Sequence, residues 1–321
     1  MRTHRLGPWQ VSAIGLGCMN VSWKGRAATD PERRYSHAIP GMHAALDSGV
    51  TFLDTANIYA PLWDTIGHNE LVVKEAIDMW EGTKEQKDNL VIATKGGITR
   101  SEGEKWGRNG SLDHLLDAVE KSIANLGVES IQLYQHHRQD PTIDLETQIE
   151  NFGELKKRGL IQQIGLSNYS AEQLDVAIDI LGGPDDGGVI SIQNEFSPFY
   201  RNDLDVLDVC TEFGLAFLPW SPLGGKQRIP ELESGSFGGF AAMAADKGVS
   251  VERLVIAWLL HYSPVIIPIP GPTRPENVRD TMAAADLALT ADEVTTLTES
   301  LPKSLPKSDE LLPFPPRRGA K

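Results

Sequence analysis

About eight apolar runs of strand length recur along the chain, separated by longer stretches whose apolar residues fall at helical spacing. The runs are Ile14–Gly17, Thr51–Ala56, Leu90–Thr94, Ile131–Gln135, Ile161–Ser167, Val189–Asn194, Leu215–Trp220 and Val265–Pro270. Between them, Leu112, Leu115, Leu116, Val119, Ile123 and Leu126 mark one amphipathic helix, with Gly127 placed to end it. Ile149, Phe152 and Leu155 mark a second, ending at Gly159. Ser170 and Gln173 read as a capping box that opens the next. Leu204, Leu207, Cys210 and Phe213 form another stripe, closed by Gly214, and Val251, Leu254, Val255, Trp258 and Leu259 a later one. Such alternation predicts parallel strands joined by crossover helices.

A run of about eight strand–helix units suits a closed barrel better than an open sheet. An open dinucleotide-binding sheet would carry a three-glycine turn after its first strand. The segment Gly15-Leu16-Gly17-Cys18-Met19-Asn20 lacks the third glycine. The expected fold is therefore a (β/α)8 TIM barrel with a short N-terminal β-hairpin and an irregular C-terminal tail. The hairpin is expected over residues 6–12, where it could plug the bottom of the barrel. No linker or shift of composition divides the chain, so residues 1–321 are expected to form a single domain. Its core spans residues of about 3 to 300, and a proline- and lysine-rich tail covers 301–321.

Charge narrows the partners. The chain has 30 Lys and Arg against 44 Asp and Glu, a net charge of −14. Nucleic acid and anionic membranes attract positive surfaces, so neither is an expected partner. No stretch of about 18 apolar residues could span a bilayer. Met1 to Arg5 are polar and no signal-peptide core follows. Cys18 and Cys210 are too few for a disulfide framework. A reducing cytoplasm is the expected compartment, and a small molecule the expected partner.

In a parallel barrel, chemistry sits at the C-terminal ends of the strands. There the second run supplies Asp54 and, just beyond it, Tyr59; the third leads into Lys95; the fourth leads into His136 and His137. A lysine directly after an apolar strand is costly to bury unless paired, and Asp54 is the natural partner. A lysine beside a tyrosine favours the phenolate, so a lowered phenol pKa is expected at Tyr59. Such a phenol is a competent general acid. A nearby imidazole can orient a carbonyl. Together these groups are what a carbonyl reductase needs to protonate a developing alkoxide.

These motifs resemble the aldo-keto reductase superfamily. Asp54-Thr55-Ala56-Asn57-Ile58-Tyr59 resembles its first signature, and Gly67-His68-Asn69-Glu70 the stretch that follows. Lys95 matches its lysine position, and Leu133 to Asp140 resembles its Leu-Tyr-x-x-His-Arg-x-Asp stretch. The spacing to Arg138 and Asp140 selects His137, and strand alternation turns His136 the other way. The resemblance implies a tetrad of Asp54, Tyr59, Lys95 and His137, with Tyr59 as proton donor, and reversible carbonyl–alcohol interconversion without a metal. It also implies NADPH as cofactor, with NAD as the alternative. Ser167, Asn168 and Gln193 would hold the nicotinamide carboxamide, and Trp220 would stack on its ring. Ser221, Leu223 and Gly225 would line the pyrophosphate. Gly271, Arg274 and Asn277 fall in the adenosine-phosphate region, where Arg274 could take a 2′-phosphate.

The chain departs from the family in places. Asn277 stands where many members have a basic residue, and Thr281 where many have asparagine. The loop after Tyr59 is longer than usual and carries Trp63. Trp23 follows the first strand and Trp106 the third. These three tryptophans either wall the substrate, a ring-shaped or sugar-like carbonyl, or simply pack their loops. Two other readings compete: a Schiff-base aldolase with Lys95 as nucleophile, and a nicotinamide-binding regulatory barrel with little turnover.

Overall fold

The structure is a computed structural model that describes residues 1–22 and 38–303. Trp23 and the tail beyond Lys303 lie outside the described residues. The chain opens with an antiparallel hairpin of β1 (Thr3–Leu6) and β2 (Trp9–Ser12). The barrel staves follow: β3 (Leu16–Gly17), β4 (Phe52–Asp54) and β5 (Val91–Gly96). A second hairpin, β6 (Ile98–Ser101) and β7 (Lys105–Arg108), stands directly after β5. Then come β8 (Ile131–His136), β9 (Ile161–Ser167), β10 (Val189–Gln193) and β11 (Ala216–Phe217). The staves form one parallel sheet in the order β11-β10-β9-β8-β5-β4-β3.

Residues 265–270 close this sheet into a (β/α)8 barrel. On one side, the Phe217 amide donates to the Val265 carbonyl and the Ile267 amide to the Phe217 carbonyl, both at 2.9 Å. On the other, the Gly15 amide reaches the Pro268 carbonyl (3.0 Å) and the Gly17 amide the Pro270 carbonyl (2.9 Å). Pro268 and Pro270 have no N–H to return, so on the β3 side this eighth stave only accepts.

The crossover helices arise from the expected local signals. Ser111 caps the helix Leu112–Leu126, whose buried face is Leu115, Val119, Ser122 and Leu126, and Gly127 ends it at φ 67°. Ser170 and Gln173 cap the helix Ala171–Leu181 reciprocally. No helix among the described residues is long and apolar enough to cross a membrane.

The core has two parts. One lies between the sheet and the helices. The other fills the barrel, with Phe52, Val91, Ala93, Leu133, Leu218 and Ile267 meeting Leu6 and Val11 of the hairpin. The hairpin thus seals the end away from the site, as its sequence suggests. Its turn fits tightly, since a Cβ at Gly7 would fall 2.7 Å from Ile190. Above this apolar plug the barrel interior turns polar, at Asp54, Lys95, Gln135 and Gln193.

Candidate active site

Strand alternation explains how the polar layer forms. Val91, Ala93 and Lys95 lie at every second position of β5 and share the barrel side. Lys95 pairs in register with Gln135 on β8, and Ser167 on β9 with Gln193 on β10. Lys95 is fully buried and Asp54 nearly so. The Lys95 ammonium donates to Asp54 Oδ2 at 2.6 Å and to the Thr55 carbonyl at 2.8 Å. The other carboxylate oxygen, Oδ1, accepts from Gln135 Nε2 and Gln193 Nε2, each at 2.8 Å. Gln193 also donates to Gln135 Oε1 at 2.9 Å. A buried ion pair is tolerable when its remaining hydrogen-bonding capacity is met, as here.

Gln135 was not among the residues singled out from sequence. Its signal is positional: it stands two residues before His137 and so shares its side of β8. Gly165 makes room for it, because a Cβ there would fall 2.9 Å from Gln135 Cγ.

Tyr59 sits just beyond this layer, half-buried. The Lys95 ammonium lies 5.3 Å from its ring centroid and hydrogen-bonds its phenol. The loop that carries Tyr59 is closed at its base by the Gly67 amide on the Asn57 carbonyl (2.8 Å). The Tyr59 carbonyl accepts from the Asn69 amide at 3.1 Å. The expected lowering of the phenol pKa is corrected. Burial raises it, and the opposing pull of Lys95 does not outweigh that. Tyr59 is therefore a protonated phenol across the neutral range. Burial also works against the charge on Lys95, but Asp54 and Tyr59 prevail and raise its pKa.

The two histidines occupy opposite sides of β8. His136 is buried among Phe152 and Tyr169, with its Nδ1 sharing a 2.6 Å hydrogen bond with the Tyr169 hydroxyl. Burial lowers its pKa to about 3. His137 is half-buried, edge-on to Tyr59 with ring centroids 5.7 Å apart. Burial, then Lys95 and Arg138, hold its pKa well below 6.5, so the ring is neutral. Its Nδ1 is buried without a hydrogen-bond partner. Cys18 lies close by as an inert thiol, its pKa raised by burial to about 12.

The expected cofactor residues form an arc beside this centre. Ser167 donates to the Gln193 carbonyl at 2.8 Å. Asn168, at φ 61°, donates to Ser167 Oγ (2.9 Å) and to the His137 carbonyl (3.2 Å). Its Oδ1 accepts from Trp220 Nε1 at 3.2 Å. Asn168 is thus held within the protein, and its first role here is to fix the edge of Trp220. Ser221, Gly224 and Gly225 all have positive φ, at 48°, 74° and 89°. The Gly224 amide donates to the Ser221 carbonyl at 2.7 Å, so these residues form a tight turn. Leu223 between them packs against the outer core. Gly271 lies where a Cβ would fall 2.7 Å from the Gly17 carbonyl. Arg274 is exposed at the start of the helix Pro275–Met282 and makes no ion pair with a described residue. Asn277 is exposed on the same helix, and Thr281 is buried.

The remaining tryptophans rim the mouth. Trp63 is 38% exposed on the short turn Trp63–Thr65. Trp106 is 53% exposed on β7, in a hairpin strand where a loop is expected from sequence.

Comparison with known proteins accords with this geometry. The model of the Aldo/keto reductase family matches residues 13–302. An uncharacterized oxidoreductase of Schizosaccharomyces pombe is 29% identical over 297 residues, 92% of this chain and 89% of that protein. The crystal structure of an aldo/keto reductase from Klebsiella pneumoniae, in complex with NADP and acetate, is 25% identical. It superposes with a TM-score of 0.74 over 97% of this chain and 99% of its own. The glycerol dehydrogenase of Gluconobacter oxydans, 22% identical with a TM-score of 0.76, shares the fold over 97% of this chain and 98% of its own. The chain belongs to the aldo/keto reductase family.

Proposed function

We propose that this protein interconverts carbonyl compounds and alcohols with NADPH, and that Tyr59 is the proton donor in the reductive direction. The observation that carries the reading is the buried Lys95–Asp54 pair beneath a half-exposed phenol, with a neutral imidazole beside it. When bound, the cofactor supplies the hydride. Tyr59 protonates the oxygen that becomes the alkoxide, and its raised pKa keeps the proton available. Lys95 steadies the phenolate left behind, and Asp54 keeps Lys95 charged and in place. A neutral His137 can donate one hydrogen bond to the substrate oxygen without adding charge.

The residues present suit a dinucleotide. Trp220 offers a ring fixed by Asn168, and the Gln193 carbonyl oxygen Oε1 is left to accept from a carboxamide. Ser167 Oγ has a lone pair remaining. Ser221, Leu223 and Gly225 would follow the pyrophosphate, with Gly271 and Asn277 beside the adenosine end. Arg274, at a helix start and without an ion pair among the described residues, suits a 2′-phosphate. The NADP in the Klebsiella relative supports the same reading. Trp63 and Trp106, exposed at the rim, suit a ring-shaped or sugar-like carbonyl; Trp23 belongs to the same proposal on sequence alone. Two buried free cysteines are in keeping with a reducing cytoplasm.

The aldolase reading fares poorly on chemistry. A Schiff base needs a neutral amine, and the Lys95 pKa is raised while its protons bind Asp54 and Thr55. The test is loss of NADPH absorbance across sugars, ketosugars, aromatic aldehydes and pyridoxal-like compounds. The expected outcome is turnover with at least one class, and no borohydride-trapped adduct on Lys95. Cofactor binding without turnover on any of them would favour the regulatory reading, and an adduct the aldolase.

A further inference from the structure

Arg100 is buried, 7% exposed, near the turn of the β6–β7 hairpin, where it pairs with Trp106. Its guanidinium fork joins two loops at the mouth. One nitrogen donates to the Ala60 carbonyl at 2.8 Å and the other to the Pro61 carbonyl at 3.2 Å. Those carbonyls belong to the two residues that follow Tyr59. The third nitrogen, Nε, donates to Glu104 Oε2 at 2.5 Å, and the guanidinium lies 4.8 Å from the Trp106 ring centroid. Glu104 in turn accepts from the Trp63 amide through Oε1 at 3.1 Å. Glu104 holds this place at φ 62°, a backbone conformation that favours glycine. Its two oxygens reach both loops from there.

We propose that Arg100 is a positioning residue for Tyr59: its grip on the Ala60 and Pro61 carbonyls fixes the phenol over Lys95 and ties it to the hairpin that bears Trp106. The proposal rests on the reading of Tyr59 as the acid. Without the grip, Ala60 and Pro61 lose their hydrogen bonds to the hairpin, while the Tyr59 carbonyl keeps the Asn69 amide and the Trp63 amide keeps Glu104, so the slack falls on the two residues that follow Tyr59. A lysine keeps the charge toward Glu104 but has no planar fork to span both carbonyls and the carboxylate. The candidate cofactor residues lie on other strands, so their contacts are not altered.

The test compares Arg100→Met, Arg100→Lys and Tyr59→Phe in the full chain, with thermal melts and NADPH titrations as controls. Each is assayed with a three-carbon 2-oxoaldehyde and with an aromatic aldehyde. The expected result for Arg100→Met is a kcat reduced about 10- to 100-fold for both substrates, with the small substrate's KM within about twofold. NADPH affinity stays unchanged. Arg100→Lys, which carries the test should Arg100→Met fail to fold, shows a smaller loss of the same kind. Placed in the Tyr59→Phe background, Arg100→Lys has no further effect on the residual kcat. An unchanged kcat with KM raised only for the aromatic aldehyde overturns the proposal and leaves Arg100 as substrate wall. So does an equal loss with and without the tyrosine hydroxyl. Native turnover by Tyr59→Phe alone overturns the acid reading itself, whatever Arg100 does.

Discussion

His136 and His137 are neighbours in the chain and opposites in environment. One is locked under Phe152 by the Tyr169 hydroxyl, and the other meets Tyr59. The division was legible from sequence, because side chains alternate across a strand. Gln135 was harder to read, since a glutamine in a strand carries no motif until Asp54 and Gln193 are seen to converge on it. The two histidines make a prediction about acid stability. His136 has a folded pKa of about 3 against 6.5 unfolded, and His137 is shifted the same way. Above 6.5 both states are neutral and nothing is gained or lost. Below it the unfolded chain takes up protons that the folded chain refuses, so stability falls with pH until the folded value is reached. Each such histidine steepens that fall by about 1.4 kcal/mol per pH unit. Urea denaturation of His136→Phe between about pH 6 and about pH 4 should show a slope shallower than wild type by one proton. Equal slopes would mean that His136 is not held neutral. His136→Ala should lower stability with kcat little changed, and His137→Ala should slow turnover strongly.

At the scale of elements, long apolar runs and capped helices were readable, and the exceptions have physical causes. Residues 265–270 read as a strand and act as a stave, but two prolines leave them without a regular ladder. The β6–β7 hairpin carries no alternating apolar signal, because its strands Ile98–Ser101 and Lys105–Arg108 are four residues each and mostly polar, and what β6 buries is the charged Arg100. Gly103 was its one local sign. The start of the helix Pro275–Met282 carries the prediction about cofactor choice. Its free N–H groups and positive end favour phosphate, and Arg274 stands there with no ion pair among the described residues. In fluorescence titrations, Arg274→Ala should weaken NADPH binding roughly 10- to 100-fold and leave NADH nearly unchanged. Equal losses for both cofactors would remove Arg274 as the selector.

At the scale of the molecule, barrel closure is what makes a site. Asp54, Lys95, Gln135 and Gln193 stand on four staves, yet they form one hydrogen-bonded layer above the plug of Leu6 and Val11. Apolar residues below and polar residues above divide the interior into a part that holds the barrel together and the proposed site of chemistry. The sequence placed the acid, amine, phenol and imidazole at one mouth through the order of the strands. It did not show that burial outweighs Lys95 in setting the phenol's pKa, which depends on what surrounds Tyr59 in space. In the proposed reaction this layer lets Tyr59 give up a proton. Tyr59→Phe removes one oxygen and leaves the Lys95–Asp54 pair in place. Steady-state reduction by that variant, measured beside its NADPH affinity, is the most direct test. A fall in kcat of about 10²-fold or more at unchanged NADPH affinity is the predicted result. Turnover near that of the wild type would contradict it.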